Sequence, residues 1–95
     1  MFLHITAARH VADYKLEVSF NDGRQGVVDL SAALTGAMFE PLQDISLFSQ
    51  FEIDKELETI VWPNGADLAP EYLYFQAFKE QVELHSRFRQ WGYIA

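Results

Sequence analysis

The chain has no cysteine. That excludes disulfide staples, cysteine-based zinc sites and a thiol nucleophile, and it is compatible with a reducing compartment. Cations are scarce: seven Lys plus Arg stand against fourteen Asp plus Glu, a formal net charge of -7. A nucleic-acid binder uses Lys and Arg to displace counterions from phosphates. The charge balance therefore argues against a nucleic-acid face and in favour of a basic partner protein. No apolar run approaches the roughly 20 residues that span a bilayer, so no membrane association is expected. The start, Met1-Phe2-Leu3-His4-Ile5-Thr6, has no basic region and no long apolar stretch, so it does not read as a signal peptide. The cytoplasm is the expected location.

Recognisable reaction chemistry is also lacking. There is no Gly-x-Gly-x-x-Gly, no P-loop and no Gly-x-Ser-x-Gly elbow. His4, His10 and His85 are far apart, with neither His-x-His nor helical i, i+4 spacing. No metal site and no cofactor are expected. Glu52, Asp54, Glu56 and Glu58 surround Lys55. Such carboxylates can do acid–base work, but a run of this kind reads first as a solvated hairpin loop. The chain is not expected to be an enzyme.

What is present is material for a core, at 49% hydrophobic and 15% aromatic residues. A length of 95 residues is that of a single domain, 1–95. Leu3, Ile5 and Ala7 alternate with polar residues and form a first strand. Tyr14, Leu16, Val18 and Phe20 alternate with Lys15, Glu17 and Ser19, a strand with one buried face. Asn21-Asp22-Gly23 is a hairpin turn leading to a third strand over Gly26 to Leu30. Ser31 is expected to cap a short helix that Gly36 stops, and Asp44 to cap a helical turn over Ile45 to Ser49. Phe51 and Ile53 begin a fourth strand, and Thr59 to Trp62 form a fifth. The expected fold is α+β: a five-stranded, mostly antiparallel sheet, a short helical segment after the third strand, and a long C-terminal helix.

That last helix is expected from Pro70 to about Gln90. Its apolar residues fall in two stripes, one holding Leu73, Ala77, Leu84, Phe88 and Trp91, the other Tyr74, Phe75, Phe78, Val82 and His85. Together they cover roughly 200° of the helix, more than one sheet face can hide. Leu84, Phe88 and Trp91, late in the helix, are therefore the candidate interface of a homodimer. The competing arrangement folds the tail back over the chain's own sheet, with Trp91 filling the core.

The densest motif is Trp62-Pro63-Asn64-Gly65-Ala66-Asp67-Leu68-Ala69-Pro70-Glu71. Pro63 ends strand pairing. Asn64-Gly65 is a turn dipeptide. Pro70 suits the first helical position and pushes Ala69 out of the α region. Asp67 and Glu71 place negative charge at the positive end of the helix. Each polar residue thus has a structural role. Trp62, Asn64, Asp67 and Glu71 are also the candidate site of a small-ligand-binding or enzymatic domain, since loop residues often carry function.

With Asp13 to Gly23, Val28-Asp29-Leu30 and Phe39 to Leu42, this block resembles the bacterial domain of unknown function 2442, over about Met1 to Tyr74. Glu58 stands where that family usually carries a glycine. The acidic charge, the surplus apolar helix face and the absence of catalytic constellations point to a small bacterial protein-interaction module, and the resemblance implies an accessory or antitoxin-like partner of a basic protein. Some relatives look like fusions to a helix-turn-helix segment. The roughly twenty residues that follow the motif here are too few for such a module, so direct DNA binding is expected to be absent.

Overall fold

A computed structural model describes residues Phe2 to Ala95. Three strands, β1 (Ile5–Ala12), β2 (Lys15–Phe20) and β3 (Gln25–Asp29), form an antiparallel meander in that order. Leu16, Val18 and Phe20 of β2 and Val28 of β3 lie on one face and are buried. The alternation in the sequence therefore marks the core side of the sheet. Asp13, with φ 44°, turns the chain between β1 and β2, and Gly23, with φ 87°, turns it between β2 and β3.

The remaining strands, β4 (Glu52–Asp54) and β5 (Thr59–Val61), pair with each other in a separate two-stranded sheet. The expected five-stranded sheet is thus corrected to two sheets of three and two strands. The far side of β5 is occupied by the chain that follows it. Trp62 N–H donates to the Ala66 carbonyl at 2.8 Å, and Val61 bridges Asp67. The two sheets touch where Ile5 N–H donates to the Glu58 carbonyl at 2.9 Å.

Between the sheets run short helical turns. α1 (Gly36–Phe39) and α2 (Ile45–Phe48) are separated by a 3₁₀ turn over Glu40–Gln43. Asp44 caps α2 as expected, accepting from Ser46 N–H at 2.9 Å. Ser31 caps no helix but begins a 3₁₀ turn over Ser31–Ala33, and its N–H donates to Asp29 Oδ1 at 3.0 Å. Gly36 opens α1 rather than stopping a helix.

The long C-terminal helix is likewise corrected. It breaks into α3 (Pro70–Phe78), a 3₁₀ turn over Val82–Leu84 and α4 (His85–Trp91). Gln81 is extended, with φ −87° and ψ 106°. Its N–H donates to the Phe78 carbonyl at 2.9 Å, its carbonyl accepts from Leu84 N–H at 3.0 Å, and its side chain accepts from Arg24 at 3.1 Å. The break lets Leu73, Leu84 and Phe88 of one stripe and Tyr74 and Phe78 of the other reach one core, while Val82 stays exposed. Phe88 packs edge-on against Phe75, centroids 5.0 Å apart, and Trp91 against Tyr74 at 5.8 Å. Leu84 and Phe88 retain only 7% and 0% exposure. The chain's own core covers them, so the exposed stripe expected to carry a homodimer does not exist there. Trp91 is half-buried.

Candidate functional site: the Trp62–Glu71 turn and its neighbouring grooves

The turn is a clasp. Trp62 is 2% exposed and its indole N–H donates to the Phe48 carbonyl at 2.8 Å, which ties β5 to α2. Its ring packs against Phe48 and Phe39 at centroid distances of 5.8 and 6.4 Å. Asn64 is exposed, yet both ends of its amide are engaged. Nδ2 donates to the Met38 carbonyl at 2.8 Å, holding α1, and Oδ1 accepts from Ala66 N–H at 3.1 Å, closing the turn. Gly65, with φ 89°, supplies the left-handed residue the reversal needs. Thr59 Oγ1 donates to the Leu68 carbonyl at 2.6 Å.

Ala69, at φ −63° and ψ 144°, precedes α3, and Pro70 begins it. No side chain caps this helix. Asp67 is exposed and takes part through its backbone bridge to Val61. Glu71 lies in the first turn, where the helix dipole favours a carboxylate.

These residues do not converge on one cavity. Trp62 borders a groove of about 540 Å³, where Phe51, Val61 and Pro63 give an apolar wall and Gln50, Glu52 and Asp54 a polar one. Asn64, Asp67 and Glu71 are not among its walls. Asp54 Oδ1 accepts from the N–H groups of Glu56 and Leu57 at 2.8 and 2.9 Å, so this carboxylate shapes the hairpin turn. Neither Glu52 nor Asp54 belongs to an ion pair among the described residues. Glu58 closes the same hairpin at φ 55°, a left-handed conformation that costs a residue with a side chain and suits glycine, and its carboxylate meets His4 Nδ1 at 3.0 Å.

Glu71 instead borders a second groove, of about 390 Å³, with Asp22, Arg87 and Trp91. Behind it lies a polar cluster that the sequence reading did not find. The buried Tyr74 donates its hydroxyl to Asp22 Oδ2 at 2.8 Å and accepts from Arg87 at 3.3 Å. The Arg87 guanidinium sits 5.5 Å from the Tyr74 ring centroid and 5.8 Å from that of Trp91. Burial first, and then the hydrogen bond to Asp22, push the Tyr74 phenol above its ordinary pKa. Tyr74 read as a member of an apolar stripe, and no spacing rule joins it to a turn residue 52 positions away.

Two small sheets packed with four short helices, clasped by the Trp62 turn, define an α+β domain. The family model described as "Protein of unknown function (DUF2442)" matches residues 5–79, and the chain belongs to this family. No curated protein matches it. Among solved structures, it is similar to a protein from Nitrosomonas europaea described as a "Putative DNA Binding Protein", with a TM-score of 0.75 and 18% identity. The likeness covers 99% of this chain and 63% of that one, so the chain spans less than two thirds of that protein's length. At this identity the likeness establishes the fold alone. Among the described residues no helix is long and apolar enough to cross a membrane.

Proposed function

We propose that the chain works by binding a positively charged protein partner at the groove beside the β4–β5 hairpin. One observation carries this reading: Glu52 and Asp54, outside any ion pair among the described residues, stand beside the apolar wall of Phe51, Val61 and Pro63. A Lys or Arg side chain matches such a wall, laying its aliphatic stem on the apolar surface and its charge against the carboxylates. The overall charge of -7 extends the attraction beyond the groove.

In this reading the protein acts by association rather than catalysis. Trp62 and Asn64, the polar residues of the motif nearest the groove, already spend their hydrogen bonds on the chain's own carbonyls and turn. The family resemblance makes an antitoxin-like or accessory role the natural setting, with the partner encoded by a neighbouring gene. DNA binding, the description attached to the Nitrosomonas protein, is opposed by the shortage of cations.

The test is capture of the neighbouring gene's product by the wild-type chain and by a Glu52→Lys variant, which spares the structural Asp54. Wild-type binding should weaken with salt, and the variant should bind roughly tenfold less tightly or worse, because like charges now face each other. Equal binding by both proteins, or specific retardation of genomic DNA fragments by the chain at low salt, would overturn the reading.

A further inference from the structure

The edge of β3 carries a feature independent of that groove. Leu30 N–H donates to the Tyr14 carbonyl, and Phe20 N–H donates to the Arg24 carbonyl. In an antiparallel ladder the direction alternates with every residue. Arg24, Gly26, Val28 and Leu30 therefore turn their backbone groups toward β2, while Gln25, Val27 and Asp29 turn theirs away. Among the described residues, the outward N–H and C=O groups of Gln25, Val27 and Asp29 have no backbone partner.

Native sheets usually blunt such an edge with bulges, prolines, lysines or a covering segment. β1 and β5 show these devices. β1 has register irregularities between Ile5 and Ala7 and between His10 and Ala12, and the Glu58 carbonyl caps its Ile5 end. β5 is covered by the bridge from Val61 to Asp67. β3 has none of them. Its register with β2 is regular throughout, and it contains neither Pro nor Lys. α3 packs on its inner face, where Phe78 and Ala77 approach Gly26, which leaves the strand's outward edge for another chain.

We infer that the β3 edge pairs with the β3 edge of a second copy of this chain, antiparallel about a two-fold axis at Val27. The strand is complementary to itself in this register. Val27, 50% exposed, meets Val27 of the other copy. Gln25 meets Asp29, an amide opposite a carboxylate, so no like charges oppose each other across the axis. Asp29 Oδ1 accepts from Ser31 N–H, which holds this carboxylate at the end of the strand. Every outward N–H then finds an outward carbonyl, and the two meanders join into one continuous sheet. The acidic groove at β4–β5 is not part of this edge, so the two surfaces can work at once.

Sedimentation velocity across a micromolar concentration series, combined with residue-resolved hydrogen exchange, tests this directly. The expected result is a monomer of 10.9 kDa converting to twice that mass as concentration rises. The amides of Gln25, Val27 and Asp29 should gain protection with dimerisation, while Gly26 and Val28 stay protected in both states. Val27→Pro removes an outward N–H without breaking a bond to β2, and Val27→Lys puts like charges on the axis. Each should weaken dimerisation at least tenfold, and Val27→Lys decides if the proline variant fails to fold. A monomer at high micromolar concentration, or a dimer that keeps its affinity with lysine at position 27, overturns the proposal.

Discussion

Substitution of Asn64 separates a clasp from a ligand site. Its amide makes two hydrogen bonds, to the Met38 carbonyl at 2.8 Å and from Ala66 N–H at 3.1 Å. A typical intramolecular hydrogen bond contributes about 0.5–1.5 kcal/mol net, and solvent competes for an exposed one, so Asn64→Ala should cost about 1–2 kcal/mol. In a domain of this size each kcal/mol lowers Tm by roughly 4–8 °C. Asn64→Asp sharpens the test. The carboxylate keeps an acceptor for Ala66 N–H but offers no donor to Met38 and turns a negative charge toward that carbonyl. It should therefore be at least as destabilised as the alanine variant at neutral pH, despite its closer shape. Thermal unfolding followed by circular dichroism reads both. If the variants melt with the wild type while partner capture is lost, the clasp account of this residue is wrong.

Gly26→Ala should destabilise by about 1–3 kcal/mol through overpacking, because its new Cβ would lie 2.9 Å from Phe78 Cε1 and 3.2 Å from Ala77 Cβ; urea unfolding checks this. Glu58→Gly relieves a left-handed residue at φ 55° at the loss of an exposed pair with His4. It should raise stability by up to about 1 kcal/mol, and a lowered Tm would refute the strain assigned to that turn. Tyr74 has a phenol pKa raised mainly by burial, so the fold holds its neutral form more tightly than the unfolded chain does. Its contribution is complete below the ordinary phenol value near 10 and is lost as pH rises through the folded value. Tyr74→Phe should cost about 0.5–1.5 kcal/mol at neutral pH and flatten the alkaline part of the stability curve, read by urea unfolding at several pH values.

Local chemistry was legible in the sequence where it is decided by near neighbours. The alternation of Leu16, Val18 and Phe20 marked a buried face, Asp44 marked a cap, and Pro63 to Pro70 marked a turn followed by a helix. The arrangement of these pieces was less legible because it depends on distant partners. One such partner is the segment Ala66 to Leu68, which occupies the far side of β5 and closes that edge to the first sheet. The helix break at Lys79–Gln81 has no proline or glycine to announce it. It follows from the need to bury Phe88 and Tyr74 in the same core, and Arg24 and His85 fasten it. The two apolar stripes presumed one straight helix; with the helix broken, Leu84 and Phe88 are buried within the chain and Val82 is left exposed. Of the four residues expected to share a site, Trp62 borders one groove and Glu71 another. Sequence proximity placed them together, and the turn between them sends them apart.

In the proposed function the carboxylates beside the β4–β5 hairpin receive a basic partner while the Trp62 block holds the fold. Backbone amide shifts during titration with the neighbouring gene's product test it most directly. The account predicts perturbations concentrated at Gln50 to Asp54 and at Val61, weakening as salt is raised, with Asp67 and Glu71 undisturbed. Perturbations centred on Asp67 and Glu71, or shifts at the hairpin that are indifferent to salt, would contradict it.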